Sequence, residues 1–336
     1  MWHPSSARAG SRDNFVDLNV PAWAWFALLG VIAAMLAVDL FRHRDDHEST
    51  PREAVKETLI WVAFGLAFAG VIAVAFGSKA FTEYLSGYVI EKSLSVDNVF
   101  VWAMLFATFK IPMKYQHRVL FWGIFGALAL RALFIFAGTA LIARFWWVLL
   151  LFGALLIFTG LKILRHRNDE GSEGSTRGVG LLRKIMPVTN EFDGHKFLTR
   201  VNGRRAATPL LAALVVVEIT DIIFAVDSVP AILAVSNEPF LVFASNAFAI
   251  MGLRAMYFLL ANAKEKFHFL SHALGIILVF VGVKMTISHW VHIPTVASLV
   301  VIIALLVLAV WASLKFPKAR SLATDESDSG SVGEVR

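Results

Sequence analysis

Residues 214–234, LVVVEITDIIFAVDSVPAILA, are apolar enough to cross a membrane, yet the stretch contains three carboxylates, Glu218, Asp221 and Asp227. On insertion scales, a carboxylate at the centre of a bilayer costs about 2.5–3.5 kcal/mol. The stretch therefore predicts a membrane-spanning segment whose buried negative charge is compensated by a positively charged partner.

An earlier stretch, residues 88–105 (YVIEKSLSVDNVFVWAML), has the same character, because it is apolar and contains Glu91 and Asp97. Two arginines, Arg131 and Arg254, also lie within apolar segments. Two guanidinium groups cannot neutralise five carboxylates, so we expect a further cation at this site, either a metal ion in transit or a proton.

The composition is that of a polytopic membrane protein. Of the 336 residues, 57% are hydrophobic and 17% are charged, whereas soluble domains are about 45–50% apolar. The net charge of +6 does not indicate nucleic-acid binding, since no basic-aromatic module is visible and membrane proteins concentrate Lys and Arg in cytoplasmic loops. The chain has no cysteine, which excludes disulfides and thiolate metal sites.

The apolar segments predict an all-α polytopic membrane protein with about nine transmembrane helices. The predicted spans are residues 22–41, 59–77, 84–108, 119–142, 145–164, 209–235, 240–260, 267–288 and 295–316. Residues 165–207 are predicted to be a polar linker loop that forms no domain and could contact protein partners. Residues 1–21 are predicted to be a polar segment that is not a signal peptide, and residues 318–336 a disordered tail.

The distribution of Lys and Arg predicts the orientation of the spans. Most basic residues between spans follow the first, third, fifth and seventh, and the intervening loops carry only Lys79 and Arg144. Cytoplasmic loops are enriched in Lys and Arg, so the pattern predicts a multi-pass protein of the cytoplasmic membrane. Its N-terminus would lie outside, its C-terminus would lie in the cytoplasm, and lipid would surround its spans.

Two charged residues close to span ends are expected to have roles at the membrane surface. Lys284 is expected to extend its ammonium group to the interface, as long basic side chains near helix ends do. Asp39, near the end of the first span, is expected to be interfacial as well.

Two groups of three spans are predicted to be copies of each other. Three pairs of segments match in the same order: 96–99 with 226–229, 131–134 with 254–257, and 158–162 with 280–284. The copies are residues 84–164 and 208–288, while residues 22–83 contribute two further helices and 289–317 the last one. Because each copy has an odd number of spans, the second enters from the opposite side. The chain therefore predicts an inverted repeat with a substrate site near the midplane.

The polar side chains of the two stretches are hard oxygen donors, which favour Mn²⁺, Mg²⁺ or Ca²⁺ over Zn²⁺ or Cu⁺. The candidate metal ligands are Glu91, Asp97, Asn98, Glu218, Asp221 and Asp227. The candidate supporting residues are Arg131, Arg254, Ser228 and Asn246. Asn246 could be either a ligand or an interhelical hydrogen-bond partner, and a purely structural alternative pairs the carboxylates with the two arginines.

Helix geometry separates the three carboxylates of the second stretch. Glu218 and Asp221 share a helix face, whereas Asp227 lies half a turn round from Glu218 on a regular helix. Pro230 removes the hydrogen bond to the carbonyl group of Val226. The proline therefore predicts a helix break that would bring Asp227 and a free carbonyl oxygen toward the site.

At these residues the chain resembles the TerC family of integral membrane proteins. The resemblance rests on residues 91–102 (EKSLSVDNVFVW), 218–236 (EITDIIFAVDSVPAILAVS) and 245–260 (SNAFAIMGLRAMYFLL). The family is similar to a wider group of cation exporters related to LysE-type transporters. It is associated with tellurium resistance, with manganese efflux and with the supply of metal to exported proteins.

The resemblance and the carboxylates together imply an exporter of a divalent cation, with Mn²⁺ first, that works by alternating access and has no tightly bound cofactor. An alternative is a membrane partner that supplies metal to exported enzymes, or organises a stress-response complex, without transporting alone. An intramembrane aspartyl protease is disfavoured because the chain has no Gly-x-Gly-Asp sequence, so the protein is not expected to be an enzyme.

Overall fold

The computed structural model describes residues 15–42, 50–145, 147–165, 187–189, 191–201, 204–260, 269–288, 291 and 293–315. Seven helices in this part of the chain are long and apolar enough to cross a membrane. The predicted all-α polytopic fold is therefore confirmed. The predicted tail and most of the predicted N-terminal segment lie outside the described residues.

The described part of the chain contains nine helices and two short strands. They are α1 (Ala22–Arg42), α2 (Pro51–Thr108), α3 (Met113–Arg144), α4 (Val148–Arg165), β1 (Leu198–Val201), β2 (Arg204–Ala207), α5 (Pro209–Leu233), α6 (Pro239–Ile250), α7 (Leu253–Leu260), α8 (Leu270–Ile287) and α9 (Thr295–Lys315).

Helix α2 has 58 residues and contains two of the predicted spans. A straight helix of this length would measure about 87 Å, far more than the ~30 Å of hydrocarbon in a bilayer. It is broken at Gly77, whose φ of 86° and ψ of 178° favour glycine. Beyond the break the chain folds back, since the Tyr84 hydroxyl group donates to the Gly65 carbonyl oxygen at 3.1 Å. We call the two parts α2a (residues 51–76) and α2b (residues 78–108).

The reversal at Gly77 corrects the predicted boundaries of the second and third spans, which left residues 78–83 as a loop. The turn needs only one glycine with positive φ, so no loop is required and residues 78–83 belong to the helix that follows. Counting α2 as two spans and adding the shorter apolar helix within α8 gives nine segments that correspond to the predicted ones.

The predicted seventh span is divided into α6 and α7. Gly252 has a φ of 83°, which interrupts the helix between Ile250 and Leu253. The ammonium group of Lys92 on α2b donates to the carbonyl oxygen of Ala249 at 3.0 Å. A basic side chain therefore satisfies a carbonyl group at the interrupted helix end, where no intrahelical donor follows.

The helix break predicted at Pro230 was wrong, because α5 continues through the proline to Leu233. The N–H group of Ala234 still donates to the carbonyl oxygen of Pro230 at 3.0 Å. A proline removes only one donor, and membrane helices tolerate this loss where neighbouring helices pack around it.

Helices α4 and α8 pack closely along a line of glycines. A Cβ added at Gly160 would lie 2.6 Å from the carbonyl oxygen of Gly275, and one added at Gly282 would lie 2.7 Å from that of Gly153. The helices are therefore antiparallel. The matched segments make Gly160 equivalent to Gly282 and Gly153 equivalent to Gly275, so equivalent residues make reciprocal contacts. This is the twofold relation that the inverted repeat predicts.

The remaining helix contacts follow the same relation. Helix α2 packs against α6 and α7, and α3 packs against α5. The two contacts correspond, because α2b is equivalent to α5, and α3 is equivalent to α6 and α7. Helix α1 lies outside the copies and contacts α6, where the rings of Trp25 and Phe240 are 5.1 Å apart. Helix α9 packs against α2 and α8.

The predicted linker loop contains a structured part just before α5. Strands β1 and β2 pair antiparallel, with Leu198 opposite Ala207 and Val201 opposite Arg204. The N–H group of Ala207 also donates to the carbonyl oxygen of Pro187 at 2.8 Å. The hairpin therefore lies at the end of the bundle where α5 begins, and we call this the hairpin end.

Candidate cation site

The guanidinium group of Arg131 lies at the centre of the site. Arg131 is on α3 and is 1% exposed. Its Nη2 donates to Asp221 Oδ1 at 3.2 Å, and its Nη1 donates to Ser228 Oγ at 3.2 Å and to a carboxylate oxygen of Glu91. Glu91 on α2b is 0% exposed and Asp221 on α5 is 1% exposed. One buried cation therefore joins carboxylates of two helices.

Glu91 and Asp221 are equivalent positions of the two predicted copies, because each lies six residues before the aspartate of its matched segment. The helices that carry them are antiparallel: Ser236 Oγ donates to Glu83 Oε2 at 2.7 Å, and a Cβ at Gly87 would lie 3.2 Å from Ile232. The guanidinium group thus lies where the two copies meet, near the middle of both helices.

Two other polar side chains contact Glu91. Ser95 Oγ donates to Glu91 Oε1 at 3.4 Å, and Asn246 Nδ2 on α6 donates to Glu91 Oε2 at 3.3 Å. Asn246 is therefore an interhelical hydrogen-bond partner in this conformation. Its Oδ1 is buried and accepts no hydrogen bond from the described residues, so this atom has an unused lone pair at the site.

Glu218 lies one helical turn before Asp221 on α5. Its Oε2 is buried and accepts no hydrogen bond from the described residues. The carboxylate packs against Gly126 of α3, in space that a side chain at position 126 would occupy. The absence of a side chain at Gly126 therefore makes room for the Glu218 carboxylate, one helical turn from Asp221.

The matched segments contain the other three candidate ligands. Asp227 Oδ1 accepts a hydrogen bond from Thr159 Oγ1 of α4 at 2.9 Å, so this carboxylate contacts a different helix from Asp221. Asn98 on α2b is 2% exposed, and its Nδ2 has no acceptor among the described residues. The side chain of Asp97 lies outside the described part of the structure, although its backbone belongs to α2b.

The carboxylates whose side chains the structure describes do not form a preassembled metal cage. Within the described residues, no group of three or more His, Cys, Asp or Glu side chains is placed to hold a metal ion. The guanidinium group of Arg131 stands between Glu91 and Asp221 and supplies the positive charge there. A metal ion that binds both carboxylates has to replace this group.

Arg254 was predicted to support the site, and the carboxylate that it contacts in the described structure is Asp39. Its Nη2 donates to Asp39 Oδ1 of α1 at 2.6 Å, and both residues are buried. Asp39, near the end of α1, is thus buried against α7 through this ion pair. The two residues are 215 positions apart in the chain, so no local pattern in the sequence indicates this pair.

A second polar cluster lies at the end of the bundle opposite the hairpin end. Glu83 is 1% exposed and accepts hydrogen bonds from Ser236 Oγ at 2.7 Å and from the N–H group of Val16 at 2.8 Å. Lys284 is 6% exposed, and its Nζ has no hydrogen-bond partner among the described residues. Lys284 therefore does not snorkel. Glu83 was not predicted as a buried polar residue, because residues 78–83 were predicted to be a loop.

Glu238, just before α6, belongs to the same end of the bundle. Burial raises the pKa of Glu238, whereas hydrogen bonds from the N–H groups of Leu18 and Phe240 lower it and the charge of Asp17 raises it. The Leu18 N–H group lies 3.2 Å from Glu238 Oε2. Glu83 and Glu238 thus both hold the segment that precedes α1.

Comparison with known proteins agrees with the membrane-spanning fold. The model of the integral membrane protein TerC family matches residues 76–321. An uncharacterized membrane protein of Myxococcus xanthus, STKORF319, is 48% identical over 95% of this chain and 100% of its own length. A protein of Escherichia coli K12 named as a candidate membrane-bound redox modulator, Alx, is 44% identical over 89% of this chain and 97% of its own.

A membrane protein of Rickettsia bellii is 37% identical over 87% of this chain and 97% of its own length. No solved structure matches the chain. The family match covers α2b to α9 and includes every candidate ligand, and the relatives align over nearly their full length. The chain is therefore a member of the TerC family of integral membrane proteins.

Proposed function

We propose that the protein exports a divalent metal cation, with Mn²⁺ as the first candidate, across the cytoplasmic membrane by alternating access. The observation that carries the proposal is the buried guanidinium group of Arg131, which is bound by Glu91 and Asp221 at equivalent positions of the two copies. Secondary transporters with inverted repeats bind their substrates at such a position, where the copies meet near the midplane.

The balance of buried charge supports a mobile cation. Among the described side chains, Arg131 donates to Glu91 and Asp221, whereas Arg254 donates to Asp39 of α1. Each uncompensated carboxylate costs about 2.5–3.5 kcal/mol at the bilayer centre. One guanidinium group therefore faces two buried carboxylates, and a divalent cation or protons would relieve the negative charge that remains.

The unpartnered atoms indicate which kind of cation fits. Glu218 Oε2 and Asn246 Oδ1 are buried oxygen atoms that accept no hydrogen bond from the described residues. Together with the carboxylates of Glu91 and Asp221, they make a set of hard oxygen donors on α2b, α5 and α6. Oxygen donors of this kind suit Mn²⁺, Mg²⁺ and Ca²⁺.

In this proposal Arg131 acts as a tethered cation that occupies the site when no metal is bound. A metal ion that enters from the cytoplasm displaces the guanidinium group from Glu91 and Asp221. When the metal ion leaves on the other side, a guanidinium group takes its place and the buried carboxylates stay neutralised. The membrane potential, or protonation of a carboxylate as the metal leaves, would supply the driving force.

Transport by the purified protein tests the proposal. The full chain is reconstituted in lipid vesicles that contain an indicator dye for the metal ion tested, and the entry rates of Mn²⁺, Mg²⁺, Ca²⁺ and Zn²⁺ are compared. We expect Mn²⁺ flux that falls at least tenfold in Glu91→Gln and Asp221→Asn. Asp193→Asn, which removes a carboxylate near the hairpin whose side chain is 41% exposed, is the matched control and should transport normally.

A vesicle that admits no metal ion with the wild-type protein would overturn the proposal. It would favour the alternative, a membrane partner that supplies metal to exported enzymes or organises a stress-response complex without transporting alone. The E. coli relative is named for redox modulation. A redox role for the present chain could not use thiol chemistry, since the chain has no cysteine.

A further inference from the structure

The two copies differ at one pair of equivalent arginines. Arg131 and Arg254 each begin a matched segment, RALF and RAMY. The reciprocal glycine contacts between α4 and α8 relate the two copies by a twofold axis. Under that relation the two arginines should have the same surroundings, and they do not.

The surroundings of the two arginines differ in their partners and in their helices. Arg131 lies on the continuous helix α3 and donates to Glu91 and Asp221. Arg254 lies on α7, two residues after the positive φ of Gly252, and donates to Asp39 of α1. Among the described contacts, one arginine thus binds the carboxylates of the cation site, and its equivalent binds Asp39.

This difference has a geometric consequence for an alternating-access protein. If the two copies of an inverted repeat exchange their conformations, the result is the same molecule with its site open to the opposite side. In the exchanged state, the arginine of the second copy takes the place that the arginine of the first copy has now. Arg254 would then lie between the carboxylates, and Arg131 would withdraw.

We propose that Asp39 is a positioning residue that holds Arg254 outside the cation site, and that Arg254 replaces Arg131 between Glu91 and Asp221 when the site changes the side to which it opens. The proposal rests on the proposed transport function. It assigns a role to α1, which lies outside both copies and before the residues matched by the family.

The position of α1 fits this role. Asp39 is 8% exposed, and its Oδ1 lies 2.6 Å from Arg254 Nη2, so the ion pair is short and buried. Helix α1 packs on α6, the helix that precedes the Gly252 break. A movement of α1 relative to α6 would therefore reach the Arg254 pair directly.

The absence of cysteine allows a test that does not depend on metal transport. Two reporters are introduced singly into the full chain in lipid nanodiscs: Ala213→Cys near the start of α5 and Ala234→Cys at its other end, both buried in this structure. The rate at which a membrane-impermeant maleimide modifies each cysteine reports how far that end opens. The measurement is made with the wild-type background and with Asp39→Asn, Asp39→Glu and Arg254→Gln.

We expect Asp39→Asn to change the two modification rates in opposite directions, each by at least threefold, because release of Arg254 favours the exchanged state. Asp39→Glu, which keeps the charge, should resemble the wild type. Arg254→Gln should shift each rate in the direction opposite to its shift in Asp39→Asn. A double variant that combines Asp39→Asn with Arg254→Gln, measured in the same way, should behave as Arg254→Gln.

Two results would overturn the proposal. Modification rates that rise together at both ends in Asp39→Asn would mean that Asp39 only stabilises the fold. A double variant that behaves as Asp39→Asn would mean that Arg254 is not the group that moves. If Asp39→Asn does not fold, Arg254→Gln alone still decides: its two modification rates should move in opposite directions from the wild-type rates, and unchanged rates would overturn the proposal. The cysteine-modification experiment uses no metal ion. If the wild-type protein moves no Mn²⁺ in vesicles, the transport proposal is wrong, but the modification rates still test the role of Asp39.

Discussion

Glu91 and Asp221, at equivalent positions on the antiparallel helices α2b and α5, share the guanidinium group of Arg131. The arrangement is buried on all sides, so neither carboxylate has access to water in this conformation. A guanidinium group that two copies share can neutralise both carboxylates without belonging to either copy. It can also be replaced by any cation that binds the two carboxylates better.

Removal of the Arg131 guanidinium group should show that Glu91 and Asp221 depend on a bound cation. Arg131→Gln leaves two buried carboxylates unpaired, and breaking a buried ion pair costs about 3–5 kcal/mol. Added Mn²⁺ should restore part of the lost stability by binding in place of the guanidinium group. The thermal midpoint of the detergent-solubilised protein should therefore rise more on Mn²⁺ addition in Arg131→Gln than in the wild type. An equal rise in both proteins would contradict the replacement.

The α4–α8 contact should be sensitive to a single added methyl group. In Gly160→Ala, the new Cβ would lie 2.6 Å from the carbonyl oxygen of Gly275, so the helices must separate. Overpacking of this kind costs about 1–3 kcal/mol. Gly70→Ala is the matched control, because a Cβ there meets nothing within 4 Å and alanine favours a helix.

Thermal unfolding of the two glycine variants provides the measurement. We expect a lower midpoint for Gly160→Ala and an unchanged or slightly higher midpoint for Gly70→Ala. Equal midpoints would mean that α4 and α8 do not pack through their glycines, and the twofold relation between the copies would lose its main structural support.

Glu238 should give stability a defined pH dependence. Burial raises its pKa above the ordinary 4.5, so the folded protein favours the neutral carboxyl group. The stability that this preference contributes is present below pH 4.5 and is lost as the pH rises through the raised pKa. Glu238→Gln stays neutral, so it should raise the midpoint by about 1–4 °C at neutral pH and leave it unchanged at about pH 4.

Asp193 provides a control of opposite sign for the pH experiment. Its pKa is lowered by the hydrogen bonds from Thr199 and Lys196 and by the charge of Lys196. Its contribution is present above its unfolded pKa and is lost as the pH falls through the lowered one. Asp193→Asn should thus be less stable than the wild type at neutral pH and converge with it in acid. The same direction in both variants would contradict the pKa assignments.

Much of the fold follows from the sequence because the membrane makes strong demands on it. A bilayer requires long apolar helices, so the composition and the apolar runs predict an all-α polytopic protein. The two stretches with Glu91 and Asp221 are also visible in the sequence, since carboxylates in apolar runs are rare. In the structure both residues contact Arg131. Pairing of the carboxylates with the buried arginines is the alternative that the sequence left open.

The corrections come from local backbone features and from long-range pairs. A turn at one glycine, Gly77, replaces a predicted loop, and a proline, Pro230, does not end its helix. The hairpin had a recognisable signal, Asn202-Gly203 between two short strands, which is the dipeptide typical of two-residue hairpins. The pair of Asp39 and Arg254 had none, because it depends on how distant helices pack.

Equilibrium binding of Mn²⁺ to the purified protein tests the central claim most directly. Free Mn²⁺ is measured by its electron paramagnetic resonance signal during titration of the wild type, Asp221→Asn and the control Asp193→Asn. We predict that Asp221→Asn weakens binding at least tenfold, about 1.4 kcal/mol, while Asp193→Asn binds as the wild type does. Equal affinity in all three proteins would contradict a cation site between Glu91 and Asp221.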